Sequence, residues 1–215
     1  MVFVPVDLRF RSWVPDSELD AKVGKIVTAG DYNAVITGPA RLYRPDGQLL
    51  AVYMPGALRA ELAAAWDVLS SIRLITDNRG LASGTPRARR GDQQRSRTRR
   101  IMSTIVGAVD PGPASSRTAG RLRACRLTAW TGKHLPEWAS VTPLFQAINH
   151  HYRIQVPDRY RDQHAAAEAT ASDWLIPGTV FTTVTVNNSY STGVHQDAGD
   201  LPDGFSTLSP PCRGL

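Results

Sequence analysis

Apolar and polar positions follow two different periods along this chain. The run Asp31-Tyr-Asn-Ala-Val-Ile-Thr-Gly38 reads as a short strand, and Ala40-Arg-Leu-Tyr43 as a second. Pro45-Asp46-Gly47 is a strong turn signal, after which Gln48–Tyr53 returns to strand, so these pieces predict a small meander. Beyond Pro55-Gly56 the spacing changes. Leu58, Leu62, Trp66, Leu69 and Ile72 recur at helical intervals with alanines between them, which predicts a helix over 57–72 whose apolar stripe packs into a core.

From 78 to 120 the periodicity lapses. Gly, Pro, Ser and Arg dominate, and the single apolar patch at 101–109 predicts a short ordered piece between two loops, 78–100 and 110–120. Cys125–Trp130 reads as a strand. Thr142-Pro143 predicts a helix start, an N-cap followed by proline in the first turn, with Leu144, Phe145 and Ile148 continuing it. His150 and His151 then follow that helix as surface residues. Another helix is expected from Pro157 through Ala171. Pro177-Gly178 is a turn, Thr179–Val186 is almost wholly β-formers, and Asn187-Asn188-Ser189 bends the chain. Tyr190–Asp197 predicts a further strand, followed by turn formers over 198–204. No internal repeat is visible.

Composition narrows the class. With 215 residues, 42% apolar and 20% charged, the chain fits one globular domain with added segments, or two small ones. That length buries a core without disulfide staples. Cys125 and Cys212 make neither a disulfide framework nor a zinc cage and suit a reducing compartment. No apolar run approaches the ~18 residues that span a bilayer, and the start lacks the basic and apolar regions of a signal peptide. A cytoplasmic protein with no membrane partner is expected.

The formal charge of +6 is moderate, but lysine stands only at 22, 25 and 133, so arginine supplies nearly all the positive charge. A GC-rich genome would produce such usage by itself. The clustering is more specific: Arg87, Arg89, Arg90, Arg95, Arg97, Arg99 and Arg100 share one short stretch in which Asp92 is the lone acid. Such a run is either a solvated basic loop or a surface for the phosphates of DNA, where each neutralised phosphate releases counterions.

The densest chemistry lies at His195-Gln196-Asp197. In a strand, residues two apart share a face, so the imidazole of His195 and the carboxylate of Asp197 project together. One further histidine would complete the 2-His-1-carboxylate set of non-haem Fe(II) oxygenases, which leaves coordination positions open for cosubstrate and oxygen. A surface His–Asp pair is the commoner meaning of the tripeptide alone. The flanking residues alter that balance.

Thr182-Thr183-Val184-Thr185-Val186-Asn187 and Val194-His195-Gln196-Asp197-Ala198-Gly199-Asp200 together resemble the core of the TET/JBP oxygenases, particularly the forms carried by bacteria and bacteriophages. Looser similarity extends to Arg126-Leu-Thr-Ala-Trp-Thr131, Pro157-Asp-Arg-Tyr160 and the Pro45-Asp46-Gly47 hairpin. The resemblance implies an α+β fold built on a double-stranded β-helix (jelly roll) with N-terminal strands and flanking helices. It implies Fe(II)- and 2-oxoglutarate-dependent hydroxylation of the 5-methyl group of 5-methylcytosine or thymine in DNA. His195 and Asp197 would be two iron ligands. Asp200 would accept a hydrogen bond from the edge of the target base, or else merely cap the turn after Gly199. Arg126 would meet a carboxylate or phosphate, or be half-exposed and structural. The target base would leave the stack at a cost of about a few kcal/mol, while the arginine run held the flanking backbone.

On this reading residues 1–77 form the N-terminal part of the oxygenase domain, 78–120 a basic loop-rich segment, 121–208 a partial double-stranded β-helix and 209–215 an aberrant tail. The departures from the family lie at the end. No histidine follows Asp197, the only later arginine is Arg213, and Pro210-Pro211 ends strand character. A fragment, a frameshift near Leu208 and a degenerate relative each account for this, with frameshift or truncation preferred. The C-terminal strands of the core, the distal histidine and the 2-oxoglutarate arginine would then be missing, and the chain alone would hold iron weakly and turn over little. Two competing readings are a non-catalytic DNA-binding protein and a related oxygenase for a free nucleotide or small molecule.

Overall fold

A computed structural model describes residues 5–12, 17–18, 21–22, 30, 35–72, 102–109 and 125–188, with backbone alone at 102, 103 and 188. The elements fall into two compact units. The first holds strands β1 (Val6–Arg9), β2 (Ala40–Tyr43) and β3 (Leu49–Tyr53). The second begins with helix α1 (Arg59–Ser71) and strands β4 (Met102–Val109) and β5 (Arg126–Leu127). Helices α2 (Ala129–Lys133), α3 (Leu135–Gln155) and α4 (Pro157–Glu168) follow, then a 3-10 turn at Ser172–Trp174 and strand β6 (Thr183–Asn188). Among the described residues the architecture is α+β with two three-stranded sheets and no closed jelly-roll barrel. Among them, no helix is long and apolar enough to cross a membrane.

In the first unit the order is β1-β2-β3. The expected hairpin forms: β2 and β3 pair antiparallel, with a register shift between Leu42 and Tyr43. Turn chemistry fixes it locally. Asp46 Oδ1 accepts the Gln48 amide at 2.9 Å, and Gly47 takes φ +93°, where other residues are strained. The sheet is not a meander, however, because β1 pairs parallel with β2. The strand expected over 31–38 is not seen at 35–38, and 31–34 lie outside the described residues. All four residues of β1 are exposed, so the strand is placed by its backbone pairing with β2 rather than by a buried face; Asp7 stands opposite Arg41 with their side chains 3.7 Å apart.

The second unit is organised by α1 against α3. Ala65, Val141, Leu144, Phe145 and Ile176 form its buried cluster, with Leu58, Leu62, Leu69, Trp138 and Val184 packed around them. The expected α1 stripe therefore holds except at Trp66, which is exposed, while Ala65 beside it is buried. A small residue there lets the helices approach closely.

Proline 143 does not start α3. The helix begins seven residues before Thr142 and runs through both positions, and His150 and His151 lie within it rather than after it. An interior proline costs about 3 kcal/mol. Fully burying an apolar side chain contributes about 1.5–3 kcal/mol, and Val141, Leu144 and Phe145 flank the proline almost completely buried. Packing therefore outweighs the local break. Thr142 also donates its hydroxyl to the Trp138 carbonyl at 3.1 Å, the back-bond available to a threonine in mid-helix rather than at a cap.

Three further boundaries differ from expectation. The strand at 125–130 shrinks to Arg126–Leu127, because α2 starts at Ala129. The strand at 179–186 begins only at Thr183, and it runs through Asn187 and Asn188 instead of bending there. Helix α4 starts at Pro157 as expected but ends at Glu168.

The second sheet has the order β5-β4-β6 and is pinned at Gly107. Its φ is +101°, and a Cβ there would sit 2.4 Å from the Thr182 carbonyl oxygen. Both facts exclude a side chain. Gly107→Ala is expected to lower the unfolding free energy by roughly 2–4 kcal/mol, measured by urea denaturation. Gly132→Ala, in α2 with open space around the new methyl, is expected to raise it by up to about 1 kcal/mol. Equal effects would contradict this account of position 107.

Candidate functional site

The segment that leads toward His195 is β6, and the chain entering it is held by hydrogen bonds on both sides. On one side stands Gly107. Its amide donates to Thr131 Oγ1 at 2.7 Å, and its carbonyl accepts the Thr128 amide at 2.9 Å. Its neighbour Ala108 donates to the Thr182 carbonyl at 2.9 Å. Thr131 has no exposed surface, and its hydroxyl also meets that of Thr128 at 3.0 Å. Strand β4, the β5–α2 corner and the entry to β6 are thereby joined through one glycine and two threonines.

On the other side, α3 grips the turn that feeds β6. Asn149 Oδ1 accepts the Val180 amide at 3.1 Å, and Asn149 Nδ2 donates to the Gly178 carbonyl at 3.4 Å. Gln146 Nε2 donates to the Pro177 carbonyl at 2.9 Å. Gly178 has φ +75° and lies against the Gln146 side chain. Within the turn, Thr179 Oγ1 donates to the Ile176 carbonyl at 2.9 Å and accepts the Phe181 amide at 3.1 Å, while Ile176 N–H donates to the Phe181 carbonyl at 2.7 Å. This closed loop is why residues 179–182 do not join the strand. The amides of Thr179, Val180 and Phe181 are bonded within the turn or by Asn149 of α3, while the Thr182 carbonyl accepts the Ala108 amide of β4.

Of the residues singled out from the sequence, Arg126 is described. It sits exposed on β5, paired in register with Val109 of β4. His195, Asp197, Asp200 and the arginines at 87, 89, 90, 95, 97, 99 and 100 lie outside the described residues. Among the described residues, no group of three or more His, Cys, Asp or Glu converges as a metal site. The described histidines have other surroundings. His134 and His164 each lie 3.6 Å from a glutamate one helical turn on, and His150 and His151 pack ring edge to ring face in α3. Sequence reasoning missed Gly107, Thr131, Gln146 and Asn149. The available signal was an isolated glycine in the β4 pattern and a pair of amide residues inside a helix.

Beside the Asn149 clamp, Tyr152 is 7% exposed, and its hydroxyl is buried with no hydrogen-bond partner among the described residues. Its ring stacks on Phe181 with centroids 6.3 Å apart and meets Tyr160 edge-on. Burial pushes its pKa above the ordinary tyrosine value, with Arg159 acting against the shift and Asp162 adding to it.

Residues 115–209 match the Tet_JBP family, the oxygenase domain of the 2OGFeDO superfamily. That span contains the described segment 125–188 and, beyond it, His195, Asp197 and Asp200. The chain is also similar to trypanosomatid dioxygenases. The chain is 35% identical over 114 residues to thymine dioxygenase JBP1 of Trypanosoma brucei brucei, covering 51% of this chain and 13% of that protein. Over 84 residues it is 33% identical to thymine dioxygenase JBP1 of Crithidia fasciculata, covering 39% of this chain and 10% of the relative. Similarity to the Leishmania major protein of the same name is 32% over 84 residues, again 39% of this chain and 10% of the relative. The chain thus matches only a small part of the length of these relatives. No solved structure matches.

Two expectations follow from the clamp. Asn149→Ala leaves the buried Val180 amide unpaired and should cost about 2–4 kcal/mol, against less than about 1 kcal/mol for Gln146→Ala at its exposed site; chemical denaturation of both variants checks this. For Tyr152, a raised folded pKa means the neutral phenol favours the folded state. Its contribution is complete below the unfolded value of about 10 and declines as pH rises through the folded one. Tyr152→Phe should flatten that alkaline decline and leave stability at neutral pH unchanged or higher, as a pH series of melting curves would show.

Proposed function

We propose that this chain carries part of an Fe(II)- and 2-oxoglutarate-dependent enzyme that hydroxylates the 5-methyl group of 5-methylcytosine or thymine in DNA. The observation supporting this most is that His195 and Asp197, two residues apart, fall inside the segment matched to the oxygenase domain. An imidazole and a carboxylate are the donor types that ferrous iron takes in such enzymes. They supply two of the three protein ligands, and no residue of this chain is assigned as the third.

When bound, the iron supplies the coupled oxidation in which 2-oxoglutarate and oxygen yield succinate and carbon dioxide while one oxygen atom enters the methyl C–H bond. The protein's own part is to select and orient the base. Asp200 accepts a hydrogen bond from the base edge, either the exocyclic amine of cytosine or the ring N–H of thymine. The arginines from Arg87 to Arg100 neutralise backbone phosphates on either side of the flipped nucleotide. Arg126, exposed on β5, serves a further phosphate or carboxylate. In this reading residues 121–208 are the partial double-stranded β-helix, 1–77 its N-terminal complement and 78–120 the DNA-facing segment.

Mass spectrometry of nucleosides tests the reading after DNA rich in thymine and 5-methylcytosine is incubated with the protein, Fe(II) and 2-oxoglutarate. A 5-hydroxymethyl pyrimidine is expected, in the low yield that two assigned ligands permit, and it should vanish in His195→Ala and Asp197→Ala together with most Fe(II) affinity. Replacing Arg95, Arg97, Arg99 and Arg100 with alanine should weaken DNA binding and reduce its salt slope by about 0.9 for each phosphate no longer neutralised. Absence of product, with Fe(II) affinity equal in the parent and both site variants, would overturn the proposal.

A further inference from the structure

Strand β1 lies at the edge of the first sheet, with β2 on one side and no strand on the other among the described residues. Its pairing with β2 fixes which backbone groups face that open edge. The Val6 amide donates to the Pro39 carbonyl at 3.0 Å, and the Phe10 amide to the Tyr43 carbonyl at 2.9 Å. Peptide groups alternate in direction along a strand, so the N–H and C=O of Asp7 and Arg9 point away from β2. Such a row is a template for a further strand.

The side chains along this edge are open to solvent. Val6 is 62% exposed, Leu8 41% and Phe10 43%. Val6 stands beside Ala40 and Leu8 beside Leu42, which in turn stands beside Ala51. These apolar side chains therefore carry an apolar face of the sheet out to its rim. The other face of β1 presents Asp7 and Arg9, an acid and a base two positions apart and both exposed. Asp7 meets Arg41 at 3.7 Å, which leaves its carboxylate room for a second cation.

This pattern is self-complementary in one antiparallel register. With Leu8 opposite the partner's Leu8, Asp7 stands opposite the partner's Arg9 and Val6 opposite the partner's Phe10. The outward backbone groups at 7 and 9 then bond to their counterparts, and each carboxylate faces a guanidinium. The neighbouring in-phase registers oppose Asp7 to Asp7 or Arg9 to Arg9, and like charges directly opposite are destabilising. We propose that this edge is a dimer interface, in which a second copy of the chain pairs β1 with β1 and joins the two sheets into one. A two-fold axis at Leu8 makes the contact isologous, so it closes at two copies. None of His195, Asp197 and Asp200 takes part, so the proposal stands apart from the iron chemistry.

Sedimentation velocity of the full-length chain is expected to show a monomer–dimer equilibrium with Kd of about 10 μM, the weak range of a small contact. Asp7→Arg and Arg9→Asp each set like charges opposite one another and should weaken self-association about tenfold or more. Mixed in equal amounts, the two variants should associate as the parent does, because each copy then offers the charges the other lacks. Should either fail to fold, Leu8→Cys tests the same register with the charges intact. Opposed residues of a non-hydrogen-bonded pair have Cα atoms about 4.5 Å apart, within disulfide reach. Mild oxidation should therefore link Leu8→Cys chains in pairs, and Val6→Cys chains far less. A parent monomeric at about 200 μM, twenty times the expected Kd, would overturn the proposal. So would a dimer indifferent to both reversals, no recovery on mixing, or equal cross-linking from positions 6 and 8.

Discussion

Strand β6 gains its place in a sheet because position 107 carries no side chain. A Cβ at Gly107 would occupy the space of the Thr182 carbonyl, and its positive φ turns both peptide groups toward partners outside β4. One faces the hydroxyl of Thr131 and the other the amide of Thr128. Three chain segments, 102–109, 125–133 and 182–188, therefore converge on a single backbone unit. Glycine sacrifices side-chain packing and adds conformational entropy to the unfolded chain. That cost is accepted where no other residue permits so close an approach.

The opposite boundary of β6 uses side chains instead. Asn149 is a poor residue for a helix interior, since its amide competes with the backbone for hydrogen bonds. Here it is nearly buried and turned to a different use, with its two ends engaging the backbone at Gly178 and Val180. A buried amide is tolerated when its donors and acceptor are paired, and it then specifies one arrangement more sharply than an apolar residue would. The contrast with Tyr152 is informative. Its hydroxyl lies in the same region and lacks a partner among the described residues, so its ring contributes by packing while its oxygen detracts.

The elements legible in the sequence were those decided within a few residues. The Pro45-Asp46-Gly47 turn needs only the Asp46 side chain and a glycine at positive φ. Helix α1 needs only its apolar spacing, and α4 announces itself with Pro157. The illegible boundaries were those settled by distant partners. Thr142-Pro143 has the local form of a helix start, yet burial of Val141, Leu144 and Phe145 carries α3 through it. Thr179–Thr182 has the composition of a strand, but Asn149, some thirty positions earlier, holds it as a turn. The candidate site divides in the same way. His195 and Asp197 are proposed from a period of two, a local property, and lie outside the described residues, whereas Gly107, Thr131 and Asn149 act through partners that no local pattern names.

This division has a physical origin. Groups that ligate a metal or meet a base edge must be particular side chains, so their identity is exposed in the sequence. Groups that position a strand can be any pair of donor and acceptor at the right distance, and many residue types would serve. Helix α3 shows how far such positioning reaches. Its near face packs on Ala65 of α1 through Val141, Leu144 and Phe145, and its Gln146 and Asn149 hold the 177–180 turn. A shift of α3 along α1 would therefore move the turn with it. Because cores are close-packed and resist partial rearrangement, the small residue at 65 and the amide at 149 act as two ends of one rigid support for the chain entering β6.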